Sequence, residues 1–214
     1  MKASKHTKLP GNVVPDIHDT KPEVFVIESL DESDEQARRF DGLILCDILR
    51  LCGKNPKYYY FQSKDELPHI VGLFRQSQYR YLHVSCHASN STVGTTRESL
   101  TYLDFAAYFE GHLPLRRLFC SACQLGNRPF VQSVSAVNKG MHSIVAPACD
   151  IQFDQAAAIW AAFYVSAFGN DDQKMKTIDI RARFKSLATL FPVEFFFASY
   201  HANRDAWDYE TIRA

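Results

Sequence analysis

The sequence predicts an α/β fold, a mostly parallel six-stranded sheet covered by helices on both faces. Three observations carry this. Short β-branched or aromatic runs alternate with longer stretches of helical period along the whole chain. Helix-start signals such as Ser33–Gln36 and Ser63–Glu66 fall between them. No internal repeat, low-complexity tract or linker divides the 214 residues. Strand–helix alternation implies parallel neighbours joined by right-handed crossovers.

Residues 1–22 are polar and lysine-rich and read as a flexible N-terminal arm; residues 23–214 form one domain. Glu23–Ser29 (EVFVIES) is a buried strand. Ser33 opens a helix whose apolar side is Ala37, Phe40, Ile44, Ile48 and Leu51, with Gly53 at its C-cap. Lys57–Phe61 is a strand, and a second capping box, Ser63 to Glu66, leads into Leu67, Ile70 and Phe74. Tyr79–Cys86 is the third strand, His87–Ser99 a polar loop able to move, and Thr101–Leu113 a helix carrying Leu103, Ala106, Ala107 and Phe109. Arg116–Ser121 is the fourth strand; Pro129 sits in the first turn of a helix holding Phe130, Val134 and Val137. His142–Pro147 is the fifth strand, Asp154 caps an alanine-rich helix running to Phe168, Lys176–Leu190 is helical, and Val193–Ser199 is the sixth strand.

Composition excludes several classes. Hydrophobic residues make up 46% and charged residues 22%, a globular balance. Lys+Arg and Asp+Glu both number 24, which argues against a nucleic-acid or membrane-surface binder working by bulk charge. No apolar run approaches the ~18 residues a membrane span needs. The N-terminal lysines precede no apolar stretch, so the expected location is the cytoplasm, and the six cysteines read as thiols. No glycine-rich phosphate loop occurs, and nothing calls for a cofactor.

Open parallel sheets place their sites beyond the carboxyl ends of their strands. Strand three ends in His83-Val-Ser-Cys-His87 and strand four in Cys120-Ser-Ala-Cys123. One helical crossover joins them, which makes them neighbours and brings His87 and Cys123 together as a thiol–imidazole pair for nucleophilic catalysis. A helix starting near Asn127–Pro129 would favour the Cys123 thiolate through its positive end. His83 lies on the same face as His87 and takes a supporting role. Cys46 and Cys52 read as core, Cys149 as a residue lining the cleft, and Phe195–Phe197 as sheet core. Asp150 and Asp154 at the end of strand five suggest an anionic substrate-binding pocket; the bland alternative for Asp154 is the helix cap. A rival reading gathers His83, His87, Cys120 and Cys123 around a structural zinc. Strand periodicity opposes it, because residues three apart point to opposite faces.

At these two strand ends the sequence resembles the CHAT family of caspase-like cysteine peptidases, related to separases, gingipains and caspases. The residues that carry the resemblance are Tyr81-Leu-His-Val-Ser-Cys-His87-Ala and Leu118-Phe-Cys-Ser-Ala-Cys123-Gln-Leu-Gly126, then Ser143–Pro147, Asp154-Gln-Ala-Ala and Ala162-Phe-Tyr164. It covers roughly residues 23 to 200. It implies a caspase-like αβα sandwich and hydrolysis of peptide bonds in protein substrates by a dyad of Cys123, the nucleophile, and His87, the acid/base. The backbone N–H groups of Ala88 and Cys123 would hold the oxyanion, with no metal at the site. Ala88 stands where the family usually has glycine, so a positive φ there would be strained.

The resemblance also implies an effector protease of a bacterial defence system, antiviral or cell-death, controlled in trans by an activating or inhibitory protein partner. The expected isolated chain is weakly active, and the expected preference is for Lys or Arg before the scissile bond. A catalytically silent caspase-like binding module is the alternative of a different class.

Overall fold

The computed structural model describes residues 20–214. The arm expected over residues 1–22 lies outside these residues up to residue 19, and the first strand already begins at Lys21.

The elements run β1 (Lys21–Ser29), α1 (Glu32–Gln36), α2 (Asp41–Leu51), β2 (Lys57–Tyr60), α3 (Leu67–Ser77), β3 (Tyr79–Cys86), β4 (Thr92–Gly94), β5 (Ser99–Thr101), α4 (Tyr102–Tyr108), β6 (Arg117–Ser121), α5 (Arg128–Ala136), β7 (Ser143–Pro147), α6 (Phe153–Asn170), α7 (Thr177–Leu190), β8 (Phe195–His201) and β9 (Ala206–Ile212). The central sheet has the order β2-β1-β3-β6-β7-β8-β9. The first five strands pair in parallel; β8 and β9 are antiparallel. Seven strands therefore stand where six were expected. The one missed is β9, whose AWDYETI reads as polar because it lies at the sheet edge and its side chains stay half-exposed.

Alternation along β3 and β6 builds two cores. Leu82, Val84 and Cys86, with Leu118 and Cys120, face α3, α4 and α5. Tyr81 and Phe119 face α2, α6 and α7, where Phe119 meets Trp160, Phe163 and Tyr164. Each large side chain so buried contributes roughly 2–3 kcal/mol of transfer free energy, and together they hold the strand ends in register.

The first helix departs most from expectation. Asp31, not Ser33, caps α1 by accepting from the Asp34 N–H, and Ser33 donates to the same carboxylate. The helix stops after five residues because Arg38 takes a left-handed φ of 58°. The chain restarts as α2 on a new phase, which buries Leu45, Cys46 and Leu49 and leaves Ile44 and Leu51 exposed. The second capping box forms as expected: Glu66 accepts from the Ser63 N–H. The loop after β3 is not irregular. It holds the β4–β5 ribbon, extended by an Ala88–Val93 bridge. Leu103 is exposed on α4. The cap of α6 is Gln152, and Asp154 sits in the first turn, accepting from the Gln155 N–H.

Candidate active site

In the parallel pairing of β3 with β6, Ser85 lies opposite Ser121. His87 and Cys123 each follow these serines by two residues, so the side-chain period of two aims both at the α2/α6 face. His87 and Cys123 line one small cleft there, about 40 Å3, floored by Asp41, Ser121 and Ala122 and walled by Ile151 and Phe153.

Position at the Cys123 end rests on a close backbone approach. Gly126 donates to the Pro147 carbonyl at 2.7 Å and Gln124 to the Cys149 carbonyl at 3.0 Å, so the loop after β6 is stitched to the end of β7. A Cβ on Gly126 would meet the Ala146 oxygen, the Pro147 oxygen at 2.7 Å and the Phe196 Cβ at 2.8 Å; only glycine fits. Gln124 takes the strained φ of 54° that turns the chain. Asn127 then caps α5 by accepting from Phe130, and donates to the Tyr102 hydroxyl and the Gln124 carbonyl. Cys123 Sγ receives the Ile151 N–H at 3.4 Å and lies 3.5 Å from the Ile151 carbonyl. The amide that reaches the sulfur thus comes from the loop before α6, not from the start of α5 as the sequence suggested.

His87 is held by groups the sequence did not single out. Its Nε2 lies 2.7 Å from Asp34 Oδ2, and Phe153 packs edge-on against the ring with centroids 5.7 Å apart. Asp34 is buried and also accepts from Arg39 at 2.9 Å. With Nε2–H donated to Asp34, Nδ1 is the nitrogen free to take a proton. The signal was present in the sequence only as an acidic first helical turn, which reads equally well as capping. Were His87 the base for the Cys123 thiol, Asp34→Asn would lower kcat by ~10-fold or more while leaving the melting temperature within a few degrees; equal losses of stability and rate would make Asp34 merely structural.

The two N–H groups expected to hold an oxyanion, those of Ala88 and Cys123, donate to no other group among the described residues. Ala88 has no positive φ, so alanine meets none of the strain its family position suggested. His83 is a core residue. It is fully buried against Trp160 and Tyr164, and burial pushes its pKa down to about 3. Cys120 is buried on the opposite face of the sheet from Cys123, and burial, with a smaller push from Cys86, lifts its thiol well above the usual range. The four residues of the zinc reading do not converge; among the described residues the donor atoms that gather within 4.8 Å belong to Asp31, Asp34 and His87. Cys149 does not line the cleft; its sulfur accepts from the Glu194 N–H. Cys46 is core as expected, and Cys52 is partly exposed. Asp150 and Asp154 are both exposed rather than buried; Asp150 accepts from Gln124, next to Cys123.

Beneath the dyad lies a buried polar layer. Glu28 on β1 stands beside Ser85, and Ser85 beside Ser121. The Ser85 and Ser121 hydroxyls both donate to the Asp41 carboxylate. Glu28 accepts from the Gly42 and Leu43 N–H groups and the Tyr58 hydroxyl. Burial raises both carboxyls, and the Asp41 charge further lifts Glu28, from 4.5 to about 7. Glu28 therefore holds a proton more readily in the folded chain than in the unfolded one. Its folded-state affinity exceeds the unfolded one, so its contribution is complete below pH 4.5 and is lost as pH rises through about 7. Glu28→Gln is expected to flatten this slope in urea unfolding, gaining on the wild type at pH 8 relative to pH 5. A difference between the two proteins that is the same at both pH values would overturn this assignment.

No protein-family model matches the chain. No curated protein matches it either. Among the described residues, no helix is long and apolar enough to cross a membrane. The architecture does match a solved structure, a caspase-1 from Spodoptera frugiperda, with a TM-score of 0.50 and 13% sequence identity, over 80% of this chain and 79% of that one. The chain thus has a caspase-like fold, a mostly parallel seven-stranded sheet between two layers of helices.

Proposed function

We propose that this protein is a cysteine endopeptidase acting through Cys123 and His87. The observation that carries the reading is the shared cleft: a partly exposed thiol and a partly exposed imidazole at the ends of neighbouring parallel strands, beside two unengaged backbone N–H groups. His87 Nδ1 takes the thiol proton, and the sulfur attacks the scissile carbonyl carbon. The oxyanion receives the Ala88 and Cys123 N–H groups. His87 returns its proton to the leaving amine as the C–N bond breaks and a thioester remains. Water, deprotonated by His87, hydrolyses the thioester and frees the thiol.

The same geometry supports a latent enzyme. A cleft of about 40 Å3 holds little more than a water, and the sulfur is engaged by Ile151. Substrate entry requires the Ile151–Phe153 segment to move, which suits control by a protein partner in trans. The resemblance to CHAT peptidases extends this to a cytoplasmic effector in a bacterial defence or cell-death system. Asp150, at the rim beside Gln124, and Asp154 in the first turn of α6 supply the negative charge for Lys or Arg before the scissile bond.

Mapping new protein N-termini in cells producing the wild type or Cys123→Ala tests the reading. Cleavages that vanish with the sulfur are expected, enriched after Lys and Arg, with Asp150→Asn weakening that preference. Identical termini in both cells, with Cys123 also inert to a peptide electrophile, would favour the silent binding module.

A further inference from the structure

The end of the sheet away from the dyad is unusually basic. Arg80 is the second residue of β3, Arg117 opens β6, and His142 immediately precedes β7, so neighbouring parallel strands bring all three to one edge. Lys174 and Lys176 lie in the segment leading into α7. These five residues line one cavity of about 360 Å3, a size suited to a small ligand.

We infer that this cavity is a binding site for a small ligand carrying several phosphate groups. Arg117 is buried, with 7% of its surface exposed, and its guanidinium donates to Ser143 Oγ at 2.7 Å and Thr177 Oγ1 at 3.3 Å. Neutral hydroxyls satisfy its hydrogen bonds but not its charge, and a buried charge without a counter-charge is costly. None of Arg80, Arg117, Lys174 or Lys176 forms an ion pair with a carboxylate among the described residues.

Two acids stand nearby. Asp171 accepts from the Gln173 and Lys174 N–H groups, which lower its pKa, and the Lys174 and Lys176 charges help lower it without forming an ion pair with it. Asp179, in the first turn of α7, lines the adjoining cavity with Arg183. Arg80 fixes the wall, donating to the Thr20 and Gln173 carbonyls. The Lys174 and Lys176 ammonium groups have no partner among the described residues, so they are free to close on a ligand. Helix α7 begins beside the cavity, with Lys176 as its N-cap and no side chain capping it. Burial first, and then the Arg117 and Arg80 charges, push the His142 pKa down to about 4. Several positive charges on one cavity match a multivalent phosphate better than a monoanion.

This site shares no residue with the cleft, so its test is independent of the peptidase reading. Tripolyphosphate titrated into the full chain, by calorimetry and by NMR of the His142 ring, provides the probe. Binding is expected in low salt, to weaken on adding salt, and to raise the His142 pKa. Lys174→Glu/Lys176→Glu, two exposed changes, is expected to weaken it about tenfold or more. Binding that is absent, or equally strong in this variant, would overturn the site. Citrate binding as tightly as tripolyphosphate would overturn the phosphate assignment.

Discussion

Cys123→Ala is expected to reduce peptide cleavage by ~10^4-fold or more, because covalent catalysis is lost with the sulfur and the remaining groups act only on water. The fold should stand. Cys123 is partly exposed and its sulfur meets only the backbone of Ile151, whose N–H gives up one long bond to sulfur. Removing His87 is expected to cost nearly as much, since the thiol loses its base, and the double variant little more than either single one. Cys120→Ala provides the contrast. That side chain is buried and leaves a cavity, so it is expected to lower stability by roughly 1 kcal/mol and spare the rate. Purified proteins assayed on a pool of peptides, with a melting curve for each, separate the two effects. Activity surviving in Cys123→Ala would end the dyad reading.

Gly126→Val is expected to damage fold and site together. The added carbons have no direction to yield: two carbonyl oxygens of β7 and the Phe196 Cβ already stand inside contact distance of the first of them. Accommodation means breaking the Gly126–Pro147 hydrogen bond and lifting the loop from β7. Overpacking of this kind costs ~1–3 kcal/mol, and loss of the buried hydrogen bond adds about 1 more. Cys123 lies three positions upstream on the same loop, so rate is expected to fall further than stability explains. Thermal unfolding sets the first quantity, and labelling of Cys123 by iodoacetamide the second. A variant melting with the wild type would show that the β7 backbone is softer than its packing indicates.

The sequence by itself determined the strands that form the sheet centre and the pair of residues at their ends. Tyr79–Cys86 and Arg116–Ser121 read as strands because each is a short, largely apolar run, too short for a helix, as suits a strand buried on both faces of a sheet. Once those strands are neighbours, period two sends His87 and Cys123 to one face without further information. The second capping box and the Asn127–Pro129 helix start were equally legible, since a cap is a contact within four residues.

What depends on distant chain was not legible. The partner of His87 is Asp34, and the floor of the cleft is Asp41, both delivered by a helix that breaks at Arg38. In the sequence that helix looks continuous, because Ala37, Phe40, Ile44 and Ile48 keep an unbroken period. Only packing against α6 and the sheet selects the phase that buries Leu45 and Leu49 instead. Asp150 and Asp154 show the reverse case: acids near the right strand end, which the tertiary structure leaves in solvent. Charge type and sequence position are local, whereas burial and hydrogen-bond partnership are set by the elements that close around a residue, and those come from across the chain.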